Sequence, residues 1–146
     1  KLFFTENDPQ RNLRGAECFH CHGGFNFTND EFMNNGLDAE SNQSDPGRLN
    51  VTMSPSDKAK FKTPSLRNVA LSAPYMHDGR FQSLEQVIDH YNAGVKNSPT
   101  VEFILQNNLL PGGLKLTDQE KSDLVAFLKT LTDQEFLQNP NYKSPF

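Results

Sequence analysis

Cys18 and Cys21 are the only cysteines in a chain of 146 residues, and His22 follows the second directly. Two thiols three positions apart with an adjoining imidazole allow three chemistries. A disulfide here would close a tiny loop and stabilise little, because the gain grows with loop length, and His22 would be incidental. A zinc ion could take both thiolates, but zinc spacing normally brings a second, distant pair. The chain has no second cysteine pair, and adjacent Cys21 and His22 are poor geometry for one tetrahedral ion. The run Cys-x-x-Cys-His fits c-type haem attachment completely. In that chemistry Cys18 and Cys21 form thioethers with the haem vinyl groups, and His22 binds the iron through its imidazole. One covalent haem is the expectation.

An electron-transfer haem usually takes a second axial ligand. The candidates are Met33, Met53, Met76, His20, His77, His90 and the tyrosines. His20 lies inside the attachment loop and cannot cross the haem plane, so it reads as a surface residue. Met76 is the ordinary choice for a cytochrome c, since Met/His ligation raises the reduction potential, and a Pro-Tyr-Met-His-Asp-Gly turn can present it. His77 and Asp78 in that turn read either as a pH-active pair or as turn chemistry in which Asp78 holds the backbone. His90 and Tyr91 are neighbours about 100° apart on a helix. Tyr91 shares the face of Leu84, Val87 and Ile88 and aims inward, so His90 is expected in solvent. On these residues alone Tyr91 reads as a core tyrosine with a hydrogen-bonded hydroxyl, and ligation is the alternative.

The elements that must position these groups are mostly short. Asp8 as N-cap and Pro9 at the first helical position open a short helix ahead of the cysteines. Residues 23–60 are rich in Asn, Asp, Gly and Ser and read as loop with at most short helical turns. A loop of this length suits a compact domain when it wraps a large cofactor. Pro64 and Pro74 punctuate the next stretch, which holds a short helix over 66–71 and a turn at 77–79. Ser83 and Gln86 make a capping-box pattern before the Leu84, Val87, Ile88, Tyr91 face, and Gly94 can end that helix. Thr117 and Glu120 make a second box before a helix whose buried stripe is Leu124, Phe127, Leu128 and Leu131. The tail from Gln138 is polar and is expected over the surface. No strand alternation is evident. The fold class is all-α: a cytochrome c-like single domain over 1–146, with long loops wrapping one covalent haem.

Composition agrees with a bound prosthetic group. The length suits one domain. Apolar residues make up only 35%, with 12 Phe and no Trp, and a covalently held haem would supply the missing apolar mass. The net charge of -4 argues against nucleic acid, whose binding wants a basic excess. No run approaches the ~18 apolar residues of a membrane span, and the apolar run 2–4 is too short for a signal-peptide core. A start at Lys1 rather than Met reads as a processed chain or a fragment.

Three stretches together resemble one family. They are KTPSLRNVALSAPYMHDGRFQSLEQVIDHYNAG from residue 62, the attachment motif about forty residues earlier with its Gly-Gly, and LTDQEKSDLVAFLKTLTD from residue 116. This pattern resembles the C-terminal haem domain of the bacterial di-haem cytochrome c peroxidase and MauG family, over nearly the whole chain. The resemblance implies two c-haems in two domains. In that plan an N-terminal haem meets hydrogen peroxide and a C-terminal, six-coordinate haem passes or stores electrons. The family's distal ligand, Met in the peroxidases and Tyr in MauG, falls at Tyr91. The resemblance thus implies a His22–Tyr91 pair, with Met76 a pocket residue and the alternative distal ligand. It also implies an interdomain calcium ion bound by the backbone carbonyls of Ser72 and Pro74. A further Asn ligand would come from the other domain, so calcium is expected only in the intact two-domain protein. Arg67, beside Leu66 and Val69, is the favoured partner for haem propionates, with Arg80 second.

A single Cys-x-x-Cys-His makes this chain, on that resemblance, the C-terminal half of a larger di-haem protein. The expected role is electron transfer to or from a peroxide-reacting haem in a domain absent from this sequence, with no catalytic residue of its own and poor peroxide turnover alone. A phenolate ligand would stabilise ferric iron and lower the potential relative to Met. The expected partners are the second haem domain and a small redox protein or other electron donor. The expected location is the bacterial periplasm, since haem c is attached outside the cytoplasm. The alternative is a stand-alone single-haem electron shuttle with Met76 as ligand.

Overall fold

The computed structural model describes residues 1–142; the last four residues of the tail lie outside the described part. Helix α1 spans Leu49–Thr52, α2 Leu84–Asp89, α3 Gln106–Leu109, α4 Asp118–Thr130 and α5 Gln134–Gln138. Short 3-10 turns connect them, including Pro9–Arg11, Cys18–His20 and Val69–Leu71.

The domain is mostly helical, and it departs from the all-α expectation at one place. Strand β1 (Phe32–Met33) pairs antiparallel with β2 (Phe61–Lys62), in the register Phe32 to Lys62 and Met33 to Phe61. Two residues cannot display an alternating pattern, which is why the sequence gives no sign of the ribbon. The ribbon closes the long 23–60 loop at its base. A parallel bridge between Gly47 and Lys60 does the same higher up, with Arg48 N–H donating to the Lys60 carbonyl at 2.9 Å.

Helix α4 starts where its capping box predicts. Thr117 Oγ1 accepts from the Glu120 N–H at 3.2 Å, and Glu120 Oε2 accepts from the Thr117 N–H at 2.8 Å. Arg14 then grips Glu120 from the N-terminal segment, its Nε and Nη2 meeting the two carboxylate oxygens at 2.5 and 2.6 Å. The box at α2 is offset by one. Ser83 Oγ accepts from Gln86 N–H at 3.3 Å, but Gln86 Oε1 accepts from the Gln82 N–H rather than from Ser83. Asp8 caps the Pro9–Arg11 turn as expected, accepting from the N–H groups of Gln10 and Arg11.

The core forms where α2 packs on α4. Leu84 and Ile88 of α2 meet Leu124, Val125 and Leu128 of α4, with Phe3, Val69, Leu114 and Leu116 completing the cluster. Val125 joins the predicted stripe, while Phe127 and Leu131 are only half-buried at its rim. Phe127 belongs instead to an aromatic group with Phe3, Phe4 and Phe27, whose rings meet edge-on or tilted. That group joins the chain's first residues to the loop that follows His22.

Candidate haem site

The attachment motif is wound as a tight turn. Glu17 adopts a left-handed conformation (φ 60°) and opens the 3-10 turn Cys18–His20, after which the His22 N–H donates to the Cys18 carbonyl at 2.9 Å. Three residues per 3-10 turn bring positions 18 and 21 to one side. The two cysteines are free thiols, and Cys18 Sγ donates to the Ala16 carbonyl at 3.3 Å. Burial pushes the Cys18 thiol up to about 12 and the Cys21 thiol up to about 11. Buried Glu17 anchors the turn. Its Oε1 accepts from the Asn7 N–H at 2.7 Å, and its Oε2 lies 3.0 Å from His20 Nε2. His20 is therefore half-buried against Glu17 and Phe19 rather than a fully solvated surface residue.

His22 Nδ1 lies 3.1 Å from the Phe27 carbonyl, which fixes that nitrogen as the N–H donor and leaves Nε2 as the nitrogen that could bind a metal. Burial lowers the imidazole pKa, so the ring is neutral. The Pro64 carbonyl also acts on this ring. His22 is thus oriented by a loop after it and by a proline forty residues downstream.

Tyr91 approaches from α2. That helix does not end as an α-helix: it widens at His90–Gly94 into a π turn. At this turn His90 is buried and Tyr91 half-buried. His90 is only 5% exposed, which corrects the expectation of a solvated side chain. An ideal α-helix would separate the two by about 100°; the wider i→i+5 turn brings neighbours somewhat closer. His90 Nε2 donates to the Asn35 carbonyl at 3.1 Å, and burial lowers its pKa.

The π turn is held from outside. Asn108 Nδ2 donates to the Tyr91 carbonyl, Leu114 N–H to the Asn92 carbonyl at 2.8 Å, and Leu116 N–H to Asn92 Oδ1 at 2.9 Å. Gly113 (φ 59°) lets the chain come this close, since a Cβ there would stand 1.7 Å from the Asn92 oxygen.

At the tip of Tyr91 stands Asn35. Its Nδ2 lies 3.5 Å from the phenolic oxygen and 3.3 Å from Met76 Sδ. Burial pushes the Tyr91 phenol up to about 12, the Asn35 contact opposes that, and Cys21 and Cys18 reach it electrostatically. The attachment turn and the predicted distal residue therefore share one environment. Sequence reasoning missed Asn35. Asn34-Asn35-Gly36 signals a turn, and a turn signal says nothing about where an amide side chain reaches.

The other candidates are placed elsewhere. Met53 stands 78% exposed. Met33 is half-buried within β1. His77 is exposed and stacks on Phe61 at 3.7 Å. Asp78 Oδ1 accepts from the Arg80 N–H at 3.2 Å, the turn chemistry expected of it. Arg80 forks onto Asp38 at 2.8 and 2.9 Å and also bonds Asp78. Arg67 is exposed, lies 4.3 Å over the Phe25 ring and donates to the Phe25 carbonyl at 2.9 Å. It thereby braces the loop after His22. Ser72 and Pro74 are exposed, as a carbonyl-presenting step requires. A surface groove between α2 and α4, lined by Glu85, Asp89, Asp118, Lys121 and Lys129, shares no residue with this site.

These side chains fit haem c. Two unbonded thiols sit on one turn, a neutral imidazole keeps Nε2 available, and a half-buried phenol shares their electrostatic environment. No helix among the described residues is long and apolar enough to cross a membrane.

No family model matches the chain. Individual proteins do. Methylamine utilization protein MauG of Methylorubrum extorquens is 39% identical over 116 residues, covering 80% of this chain and 31% of that protein. Cytochrome c551 peroxidase of Nitrosomonas europaea is 32% identical over 135 residues, covering 91% of this chain and 34% of that protein. The solved structure of a MauG-like protein associated with microbial copper homeostasis superposes with a TM-score of 0.70 at 40% identity, over 89% of this chain and 46% of that one. The chain spans about a third of the length of these two curated relatives. Over most of its length it is homologous to the di-haem cytochrome c peroxidase and MauG family, matching part of those larger proteins.

Proposed function

We propose that this chain is the electron-transfer haem c domain of a MauG-like di-haem oxidoreductase, with His22 and Tyr91 as the axial ligands. The observation that carries this reading is the position of Tyr91. Its hydroxyl meets Asn35 and lies within electrostatic reach of both cysteines of the attachment turn. Haem c, when bound, supplies an iron centre that gains and loses one electron.

The chain's own residues do the rest. Cys18 and Cys21 fix the group covalently on the turn that Glu17 anchors. The Phe27 carbonyl holds the His22 tautomer and raises its basicity as a ligand. Tyr91 would supply an anionic oxygen that favours the oxidised metal and lowers the potential relative to a thioether. Arg67 braces the Phe25 loop at the rim, where a propionate could also reach it. With His22 and Tyr91 both committed to holding the haem iron, the chain alone would turn over peroxide poorly. The natural partners in this reading are a second haem domain and a redox protein or other electron donor. Calcium belongs to the intact protein, through the exposed carbonyls of Ser72 and Pro74. Covalent haem attachment places the mature protein in the periplasm.

A second reading is favoured by one observation: Met76 Sδ meets the same Asn35 amide as Tyr91. In that reading Met76 is the ligand and the chain is an electron shuttle. The ferric visible spectrum separates the two. Tyr ligation gives a phenolate charge-transfer band and lacks the long-wavelength sulfur-to-iron band. Loss of the phenolate band in Tyr91→Phe, with Met76→Leu nearly silent, supports the first reading; the reverse pattern overturns it.

A further inference from the structure

We infer that Asn35 is a positioning residue that selects between the two distal candidates, presenting the oxygen of Tyr91 while occupying the sulfur of Met76. The inference rests on the Tyr91 reading above and goes beyond it, because it names what tunes that ligand.

The geometry is specific. One amino group carries two N–H donors, and Asn35 Nδ2 faces two acceptors, Met76 Sδ at 3.3 Å and Tyr91 Oη at 3.5 Å. The backbone of Asn35 is also fixed from behind. Its carbonyl accepts from Nε2 of His90, the residue next to Tyr91, so the helix that carries the ligand also carries the clamp on the residue that meets it. Asn34, immediately before, is buried. Its Nδ2 donates to Ser98 Oγ at 3.1 Å and Thr100 Oγ1 at 2.9 Å, and its Oδ1 accepts from the Gly36 N–H at 2.9 Å. Lys96 N–H donates to the Gly36 carbonyl at 2.7 Å. Asn35 is thus held on both flanks while its amide faces the two ligands.

The chemistry of the acceptors decides the selection. A thioether sulfur is a weak acceptor, and an N–H directed at it occupies a lone pair that a metal would use. A phenolate oxygen keeps lone pairs for both a metal and a donor, and a hydrogen bond to a charged acceptor is about twice as strong as a neutral one. Asn35 therefore favours oxygen. By drawing charge from that oxygen it also raises the reduction potential above what an unassisted phenolate would give.

The test uses the haem-bearing chain and reads the potential and the phenolate band. Asn35→Leu removes both donors at similar volume. The reduced-to-oxidised ratio at fixed applied potential should fall about tenfold, the worth of one hydrogen bond to a charged group, which for one electron is about 59 mV. The phenolate band should move to longer wavelength. The same shifts in a Met76→Leu background would show that Asn35 acts through Tyr91. A second measurement needs no variant: transfer of the wild-type chain into D2O should shift the iron–phenolate stretch in resonance Raman. A phenolate band that Tyr91→Phe abolishes, but that neither Asn35→Leu nor D2O moves, overturns the role of Asn35 and leaves the ligand assignment standing. A wild-type spectrum with no phenolate band, unchanged by Tyr91→Phe, removes the ligand assignment and this inference with it.

Discussion

The sulfur of Met76 and the phenolic oxygen of Tyr91 meet one amino group, Nδ2 of Asn35, at 3.3 and 3.5 Å. Residues fifteen apart in sequence, one on a turn and one on a helix, therefore compete for the same small space. In the proposed haem site the distal side would be a choice between these two side chains.

That choice is open to direct measurement. Tyr91→Phe should open the sixth position, raise the reduction potential and let added small ligands bind. Met76→Leu should shift the spectrum only through packing. Titration with cyanide or imidazole reads the difference, and tighter binding in Met76→Leu than in Tyr91→Phe would reverse the assignment.

Attachment makes a mass prediction. Because Cys18 and Cys21 are free thiols on one turn, the mature protein should carry one haem that survives denaturation and acidic acetone. Cys18→Ala should leave a single thioether, and Cys18→Ala/Cys21→Ala none. Intact mass spectrometry counts them, and a mass of bare polypeptide for the wild type would refute the site.

The Arg14–Glu120 pair predicts a pH dependence. Arg14 holds the Glu120 carboxyl down to about 2, below its ordinary 4.5. A carboxylate lowered in the folded state contributes stability above its unfolded pKa and loses it as pH falls through the folded value. The contribution should thus be complete above about pH 4.5 and vanish near pH 2. Urea unfolding between those limits should show a shallower slope in Glu120→Gln than in wild type. Thr117→Ala, which removes the cap beneath this pair, should cost about 1 kcal/mol.

Gly113 makes the most local prediction. A methyl group there meets the Asn92 oxygen at 1.7 Å, at a φ of 59° that non-glycine residues rarely adopt. Gly113→Ala should lower stability by more than the ~1 kcal/mol of an ordinary glycine substitution and should also perturb the Tyr91 band. A thermal melt and a spectrum on the same sample test both halves, and a destabilised variant with an untouched band would uncouple Gly113 from the ligand.

The proximal half of the proposed site carries its signal locally in the sequence. Cys18, Cys21 and His22 lie within five residues, and their spacing alone separates haem attachment from disulfide and zinc chemistry. The caps at Asp8 and Thr117 are equally local and were equally readable. Tyr91 was assigned to the inner face by helical periodicity, but the same periodicity sent His90 outward. The π turn on which it lies is braced by donors from Asn108, Leu114 and Leu116, and His90 itself is held by the Asn35 carbonyl. Asn35 and the two-residue ribbon were hidden for the same reason: each is defined by a partner far along the chain, at Tyr91 and at Phe61–Lys62.

The outside bracing of the π turn sets an order of maturation. The attachment turn draws mainly on the first thirty residues, with Pro64 the one distant group on His22, so in the proposed site it can form before the rest of the chain has docked. The seat of Tyr91 needs residues 108–116 docked against it, and these come much later in the chain than the attachment turn. Closure of the sixth coordination position is then a built-in reporter of completed folding. In a refolding experiment the appearance of the phenolate band should track docking of that segment rather than acquisition of the cofactor.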